Sequence, residues 1–282
     1  MHPVIEPHEL AEQLGAPEPP ILLDVRWTLG GPSGRTDYQA GHLPGAVFLD
    51  VDTELAGPPG AAGRHPLPDP DALQATLRSA GVRSTVPVVA YDAADGSVAA
   101  RVWWLLRWAG HPTVAVLDGG FAAWRAAGLP VSTAVPAPRA GTITVRPGGM
   151  PVLDANQAAR LAREGVLLDA RAAPRYQGMT EPVDPRAGHV PGARNAPFGE
   201  LTDPQGCWLS TARLRELARG WGVVGGELGA YCGSGITACA LVLGMELAGV
   251  TTPEQPVALY AGSWSQWCTD PARPVATGPS PG

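Results

Sequence analysis

The chain repeats itself, and that repetition limits its possible folds more than any other feature. Leu22-Leu23-Asp24-Val25-Arg26 returns as Leu167-Leu168-Asp169-Ala170-Arg171. Gly41-His42-Leu43-Pro44-Gly45-Ala46 returns as Gly188-His189-Val190-Pro191-Gly192-Ala193. Ala90-Tyr91-Asp92 is answered by Ala230-Tyr231-Cys232, and Gly119-Gly120-Phe121 with Trp124 by Ala261-Gly262-Ser263 with Trp267. The paired segments keep their order and nearly constant offsets, as a duplicated domain requires. A length of 282 residues suits two domains of ordinary size. The expected division is residues 1–135, a linker over 136–150 within the Pro- and Gly-rich stretch Ala134 to Gly149, and residues 151–282.

Each half alternates short apolar runs with helical patterns. The expected strands are Ile21–Val25, Val86–Tyr91 and Thr113–Leu117, then Val166–Ala170, Leu228–Tyr231 and Val257–Tyr260. Pro7–Leu14, Asp69–Ala80 and Val98–Trp108 read as helices, as do Asp154–Arg163, Thr211–Trp221 and Ile236–Ala248. Asp154 and Thr211 have the residue types of N-caps. Such alternation predicts an α/β fold: two tandem domains, each a parallel sheet with helices on both faces. Thr142–Val145 is expected to add a short strand across the two halves.

Ligands of such sheets bind at the carboxyl ends of strands. There lies Tyr231-Cys232-Gly233-Ser234-Gly235-Ile236-Thr237-Ala238. A thiol placed between a strand end and a helix start faces backbone N–H groups and the positive end of the helix dipole, which favours thiolate. The glycines leave room for that close backbone approach. The other cysteines, Cys207, Cys239 and Cys268, read as packing residues. No Cys-x-x-Cys pair or histidine cluster suggests a metal or a disulfide scaffold. A net charge of −6 without basic runs argues against nucleic acid as partner. The longest apolar run, Ile236 to Val250, contains Glu246 and is too short for a bilayer. No membrane partner is therefore expected. With no basic, apolar leader over Met1 to Pro20, the expectation is a cytoplasmic protein.

Duplication supplies an internal control. Arg26 and Arg171 are shared by both halves and read as structural ion pairs; His42 and His189 read as satisfied loop histidines. Cys232 is not shared, since Asp92 stands in its place, so the first half lacks a nucleophile. Arg175 and Arg186 also lack counterparts and follow the strand that ends at Arg171, which makes them candidates for holding an anion. Asp52 and His65 lie in a long loop, Val51 to Asp69, of the kind that often carries function.

These residues together resemble the tandem-domain rhodanese-type sulfurtransferases over essentially the whole chain. The motifs that carry the likeness are Asp24-Val25-Arg26-Trp27, the two Gly-His-x-Pro-Gly stretches, Val102-Trp103-Trp104, Leu117-Asp118-Gly119-Gly120, Gly262-Ser263-Trp264 and the cysteine loop. The resemblance implies two rhodanese domains, the first inactive, with the active site between them. Thiosulfate-using members tend to carry cations just after the cysteine, where this chain has Gly233 and Ser234. Its loop is similar to the mercaptopyruvate type. There the resemblance implies a proton relay of Ser234, His65 and Asp52, substrate arginines at Arg175 and Arg186, and a binding loop through Gly233, Gly235, Ile236 and Thr237. Ile236 stands where valine is usual, and Arg186 matches only across a small gap.

The implied chemistry is persulfide transfer. Cys232 takes a sulfane sulfur from a small anionic donor, 3-mercaptopyruvate or thiosulfate, and passes it to cyanide or a thiol, a thioredoxin-like acceptor included. No cofactor is needed. Two other classes stand beside it. A cysteine phosphatase would need an arginine closing the loop, where this chain has Ala238-Cys239-Ala240. A non-catalytic sulfur carrier or binding module would accept sulfur on Cys232 without turnover.

Overall fold

The computed structural model describes residues 1–252 and 254–282. It contains two compact units. Unit 1 is Met1–Gly57, Pro68–Gly149 and Thr202–Trp208; unit 2 is Pro58–Leu67, Met150–Leu201 and Leu209–Gly282.

Unit 1 runs β1 (Val4–Ile5), α1 (Pro7–Leu14), β2 (Ile21–Asp24), α2 (Arg35–Ala40), β3 (Val47–Phe48), α3 (Pro70–Ser79), β4 (Val88–Tyr91), α4 (Ala99–Trp108), β5 (Val114–Leu117) and α5 (Gly120–Ala126). Its five strands are all parallel in the order β1-β5-β4-β2-β3. Unit 2 runs α6 (Ala155–Glu164), β6 (Val166–Asp169), α7 (Ala173–Tyr176), β7 (Arg194–Asn195), a 3-10 turn at Phe198–Glu200, α8 (Thr211–Gly220), β8 (Leu228–Tyr231), α9 (Ala238–Leu247), β9 (Ala258–Leu259) and α10 (Ser263–Trp267). Its four strands are parallel in the order β7-β6-β8-β9.

Every residue of β4, β5 and β6 is buried, as expected of strands covered by helices on both faces. The duplication extends into the cores. Leu22, Leu43, Ala46, Tyr91 and Trp124 cluster in unit 1; Leu167, Val190, Ala193, Tyr231 and Trp267 do so in unit 2. Helix α6 opens with a capping box between Asp154 and Gln157. The cap of α8 is Ser210, one residue earlier than expected, because its hydroxyl accepts the Arg213 N–H.

The shared polar residues hold the backbone in place. Arg26 grips Asp24 and donates to the Gly41 carbonyl at 2.7 Å, and Arg171 does the same with Asp169 and Gly188. His42 stacks on Tyr38, and His189 on Tyr176.

The stretch 134–149 forms no strand across the halves. The Gly141 N–H donates to Arg78 and the Thr142 N–H to Val82, both within unit 1. A Cβ on Gly141 would lie 2.1 Å from the Val82 oxygen, so glycine there serves close approach rather than flexibility.

Candidate active site

Strand β8 delivers Cys232 to its carboxyl end, and α9 starts six residues later at Ala238. Between them the chain folds around the sulfur, whose Sγ accepts the Gly235 N–H at 3.1 Å. Gly235 needs its φ of +84°, and a Cβ there would lie 2.5 Å from the Ala261 oxygen. Ile236 is buried, and its carbonyl, like that of Thr237, accepts an N–H from the first turn of α9.

The start of α10 buttresses the loop from behind. The Cys232 N–H donates to Ser263 Oγ at 3.2 Å, and that hydroxyl donates to the Tyr260 carbonyl. The carbonyls of Cys232 and Gly233 accept the N–H groups of Trp264 and Ser265. Ser263 has a φ of +54°, the one non-glycine positive φ among the described residues. The Phe121 N–H bonds the Asp92 carbonyl as that of Trp264 bonds Cys232, so Gly120, one place off the sequence pairing, is the counterpart of Ser263, and its φ is also +54°.

His65 packs in unit 2 although it comes from the first half of the sequence. Its Nδ1 lies 2.7 Å from Ser234 Oγ, and both residues are buried. Asp52 belongs to unit 1, where its Oδ1 accepts the indole N–H of Trp27 at 2.9 Å.

Arg175 stands beside the loop. A Cβ on Gly233 would be 3.5 Å from Arg175 Nη1 and 3.0 Å from Nη2 of Arg64, a residue the sequence reading passed over. Arg64 pairs with Asp184, which also lies 3.4 Å from Arg175. Glu181 holds Arg175 at 2.5 Å and Arg171 at 3.4 Å. Burial pushes the Asp184 carboxyl above its ordinary range, against the pull of Arg64. Gly233 and Ser234 bring no cation of their own, but two guanidinium groups border the space a side chain at 233 would take.

Arg186 is placed differently. Its terminal nitrogens donate to the carbonyls of Asp270 and Arg273 at 3.1 and 3.0 Å, and its own carbonyl accepts from Trp264. The residue expected as a second substrate clamp thus has two of its five N–H groups on backbone carbonyls. Position along the loop gave no sign of this, since both carbonyls lie more than 80 residues away.

Cys239 is buried, and its thiol donates to the Gly235 carbonyl. Burial, then Asp184, pushes the Cys268 thiol up. Burial, then Asp118, does the same for Cys207. Among the described residues no group of His, Cys, Asp and Glu could hold a metal ion, and no helix is long and apolar enough to cross a membrane.

In unit 1 the equivalent loop closes on its own side chain. Asp92 accepts the N–H groups of Ala94 and Gly96 on Oδ1, at 3.1 and 3.0 Å. Its Oδ2 accepts those of Val98 and Ala99, at 2.9 and 3.0 Å. The anion cradle survives there, filled by a carboxylate.

A parallel sheet carried twice, with a buried cysteine cradled at the end of one central strand, defines a class, and comparison with known proteins agrees with it. The rhodanese-like domain matches residues 6–127 and again 154–270. The chain belongs to the rhodanese-like family, and within it to the sulfurtransferases. A Pseudomonas aeruginosa protein provisionally named 3-mercaptopyruvate sulfurtransferase is 46% identical, with 96% of each chain covered. A Mycobacterium tuberculosis protein provisionally named thiosulfate sulfurtransferase, SseB, is 44% identical over 96% of this chain and 95% of its own. The crystal structure of SseA, a 3-mercaptopyruvate sulfurtransferase from Escherichia coli, matches with a TM-score of 0.81 at 30% identity, covering 94% of this chain and all of that one.

Proposed function

We propose that this enzyme moves the thiol sulfur of 3-mercaptopyruvate to a thiol or to cyanide through a persulfide on Cys232, where it becomes a sulfane sulfur. The observation that carries the donor is the 2.7 Å hydrogen bond between His65 Nδ1 and Ser234 Oγ, set within the cysteine loop. Cys232 thiolate attacks the donor sulfur, the C–S bond breaks, and its electrons pass to pyruvate enolate. The enolate needs a proton at carbon, which Ser234 supplies with His65 behind it. Asp52 is proposed as the relay's third member. The thiol acceptor then attacks the outer sulfur and leaves Cys232 as thiolate, a two-step nucleophilic cycle with ping-pong kinetics. Gly233, Gly235, Ile236 and Thr237 form the cradle, and Arg175 holds the donor's anionic end. Unit 1 lacks a nucleophile, Asp92 standing where unit 2 has Cys232. Four free thiols suit the cytoplasm, the proposed setting.

A second reading, thiosulfate as donor, draws support from the two guanidinium groups over Gly233. Sulfite leaves without needing a proton on carbon, so the relay separates the two donors. With one acceptor, kcat/KM should be higher for 3-mercaptopyruvate than for thiosulfate. Ser234→Ala should lower turnover of 3-mercaptopyruvate by about 100-fold, the lower end for a lost acid–base group, and leave thiosulfate turnover nearly unchanged. A thiosulfate value equal to or above the mercaptopyruvate value would replace the first reading with the second.

A further inference from the structure

We propose that Arg64 is the second donor-binding cation of this site, acting with Arg175 to hold the anionic end of the sulfur donor beside Gly233. The inference rests on the sulfurtransferase reading and adds to it a residue that selects small donors with an anionic end, a carboxylate or a sulfonate.

Three observations carry it. The first is convergence. Arg64 Nη2 and Arg175 Nη1 lie 3.0 and 3.5 Å from where a side chain on Gly233 would begin, directly after the nucleophile. The loop's own residues 233 and 234 carry no charge, so the cations beside the nucleophile arrive from two other segments. The second is unused donors. The Nε atoms of Arg64 and Arg175 are both buried, and neither has a hydrogen-bond partner in the structure. A buried charged donor left unpaired is costly, and an anion with several acceptor oxygens would satisfy it. Arg186 differs, because both its terminal nitrogens already donate to the carbonyls of Asp270 and Arg273.

The third observation is that Arg64 is held in place. Its backbone N–H donates to Ser265 Oγ at 3.0 Å, and Ser265 N–H in turn donates to the carbonyl of Gly233. Asp184 pairs with its other terminal nitrogen, Nη1. The local charges balance, with Arg64, Arg171 and Arg175 facing Asp169, Glu181 and Asp184. An arriving anion therefore meets directed donors in a neutral setting, and binding depends on the geometry of the fork.

The test uses alkylation of Cys232 by iodoacetate, which carries a carboxylate, and by neutral iodoacetamide of nearly the same shape. Neither reagent requires turnover. Arg64→Gln should lower the iodoacetate-to-iodoacetamide rate ratio about tenfold, the lower end for a lost charged partner. Arg160→Ala, which removes an exposed helix charge, should leave the ratio unchanged. A ratio within about twofold of the parent in folded Arg64→Gln overturns the inference, since losing the charged partner should move it about tenfold. Arg64→Lys keeps a charge for Asp184, so it covers the case in which the glutamine variant does not fold. Its lost fork should raise KM for 3-mercaptopyruvate several-fold with kcat little changed. An unchanged KM there overturns the inference too. A lowered alkylation ratio in a protein that turns over neither donor would leave the anion clamp standing and remove the sulfurtransferase reading instead.

Discussion

Ser263 is the residue at which the site's construction is most exposed to test. A left-handed φ costs a non-glycine residue on the order of 1–3 kcal/mol. In this position the hydroxyl gives back one hydrogen bond from the Cys232 N–H and one to Tyr260. Ser263→Gly removes both the strain and the bonds, so stability should stay within about 1 kcal/mol of the parent. The sulfur should lose its fixed position, and kcat should fall about tenfold or more with KM little changed, because small misplacements of a nucleophile are costly. Thermal melting beside steady-state kinetics checks this, and full activity in the glycine variant would show that the hydroxyl positions nothing. The placement of Cys232 at a strand end and of Arg175 beside its loop was legible in the sequence, because duplication showed what each half lacks. Arg64 was not legible. Its partners Asp184 and Gly233 lie 120 and more residues away, and no local pattern records such a meeting. The carbonyl partners of Arg186 were not legible for the same reason, since they lie more than 80 residues away.

At the scale of elements, the two strand-to-helix loops are one device used in two ways. Around Cys232 the Gly235 N–H turns to the sulfur; around Asp92 four N–H groups close on a carboxylate. Asp92→Asn would set an amide NH2 against some of those donors, and it should destabilise the protein by about 2–4 kcal/mol while sulfur transfer by folded protein persists. Chemical denaturation followed by an activity assay reads both. A neutral effect on stability would mean that the cradle in unit 1 is dispensable. The central strands and long helices were legible because their apolar runs and caps persist over four or more residues. β1, β3, β7 and β9 are two residues each. Of these only β9 was anticipated, as part of a longer run; a two-residue strand has no period to detect. The stretch 134–149 looked like a free linker because glycine marks both mobility and close packing, and composition alone does not separate them.

For the molecule as a whole, pH reports on unit 1 through His111. Its Nδ1 accepts the Thr113 N–H, so the ring proton sits on Nε2 and is donated to the Arg83 carbonyl at 3.1 Å. Burial lowers its pKa from the ordinary 6.5, with the backbone bonds opposing in part. A base whose folded pKa is depressed stabilises the fold fully above its unfolded value and loses that contribution as pH falls through the folded value. Melting temperature should therefore drop between about pH 7 and pH 5 more steeply in the parent than in His111→Gln. Equal slopes would remove His111 from the account. The fold as a whole followed from the repeat, and the site from the asymmetry between its halves. The central claim is that the sulfur passes through Cys232, and intact-protein and peptide mass spectrometry tests it most directly. After treatment with 3-mercaptopyruvate and no acceptor, the protein should gain one sulfur atom on the peptide that carries Cys232, and added cyanide should remove it. Sulfur on Cys239 or Cys268 instead, or turnover that persists in Cys232→Ser, would contradict it.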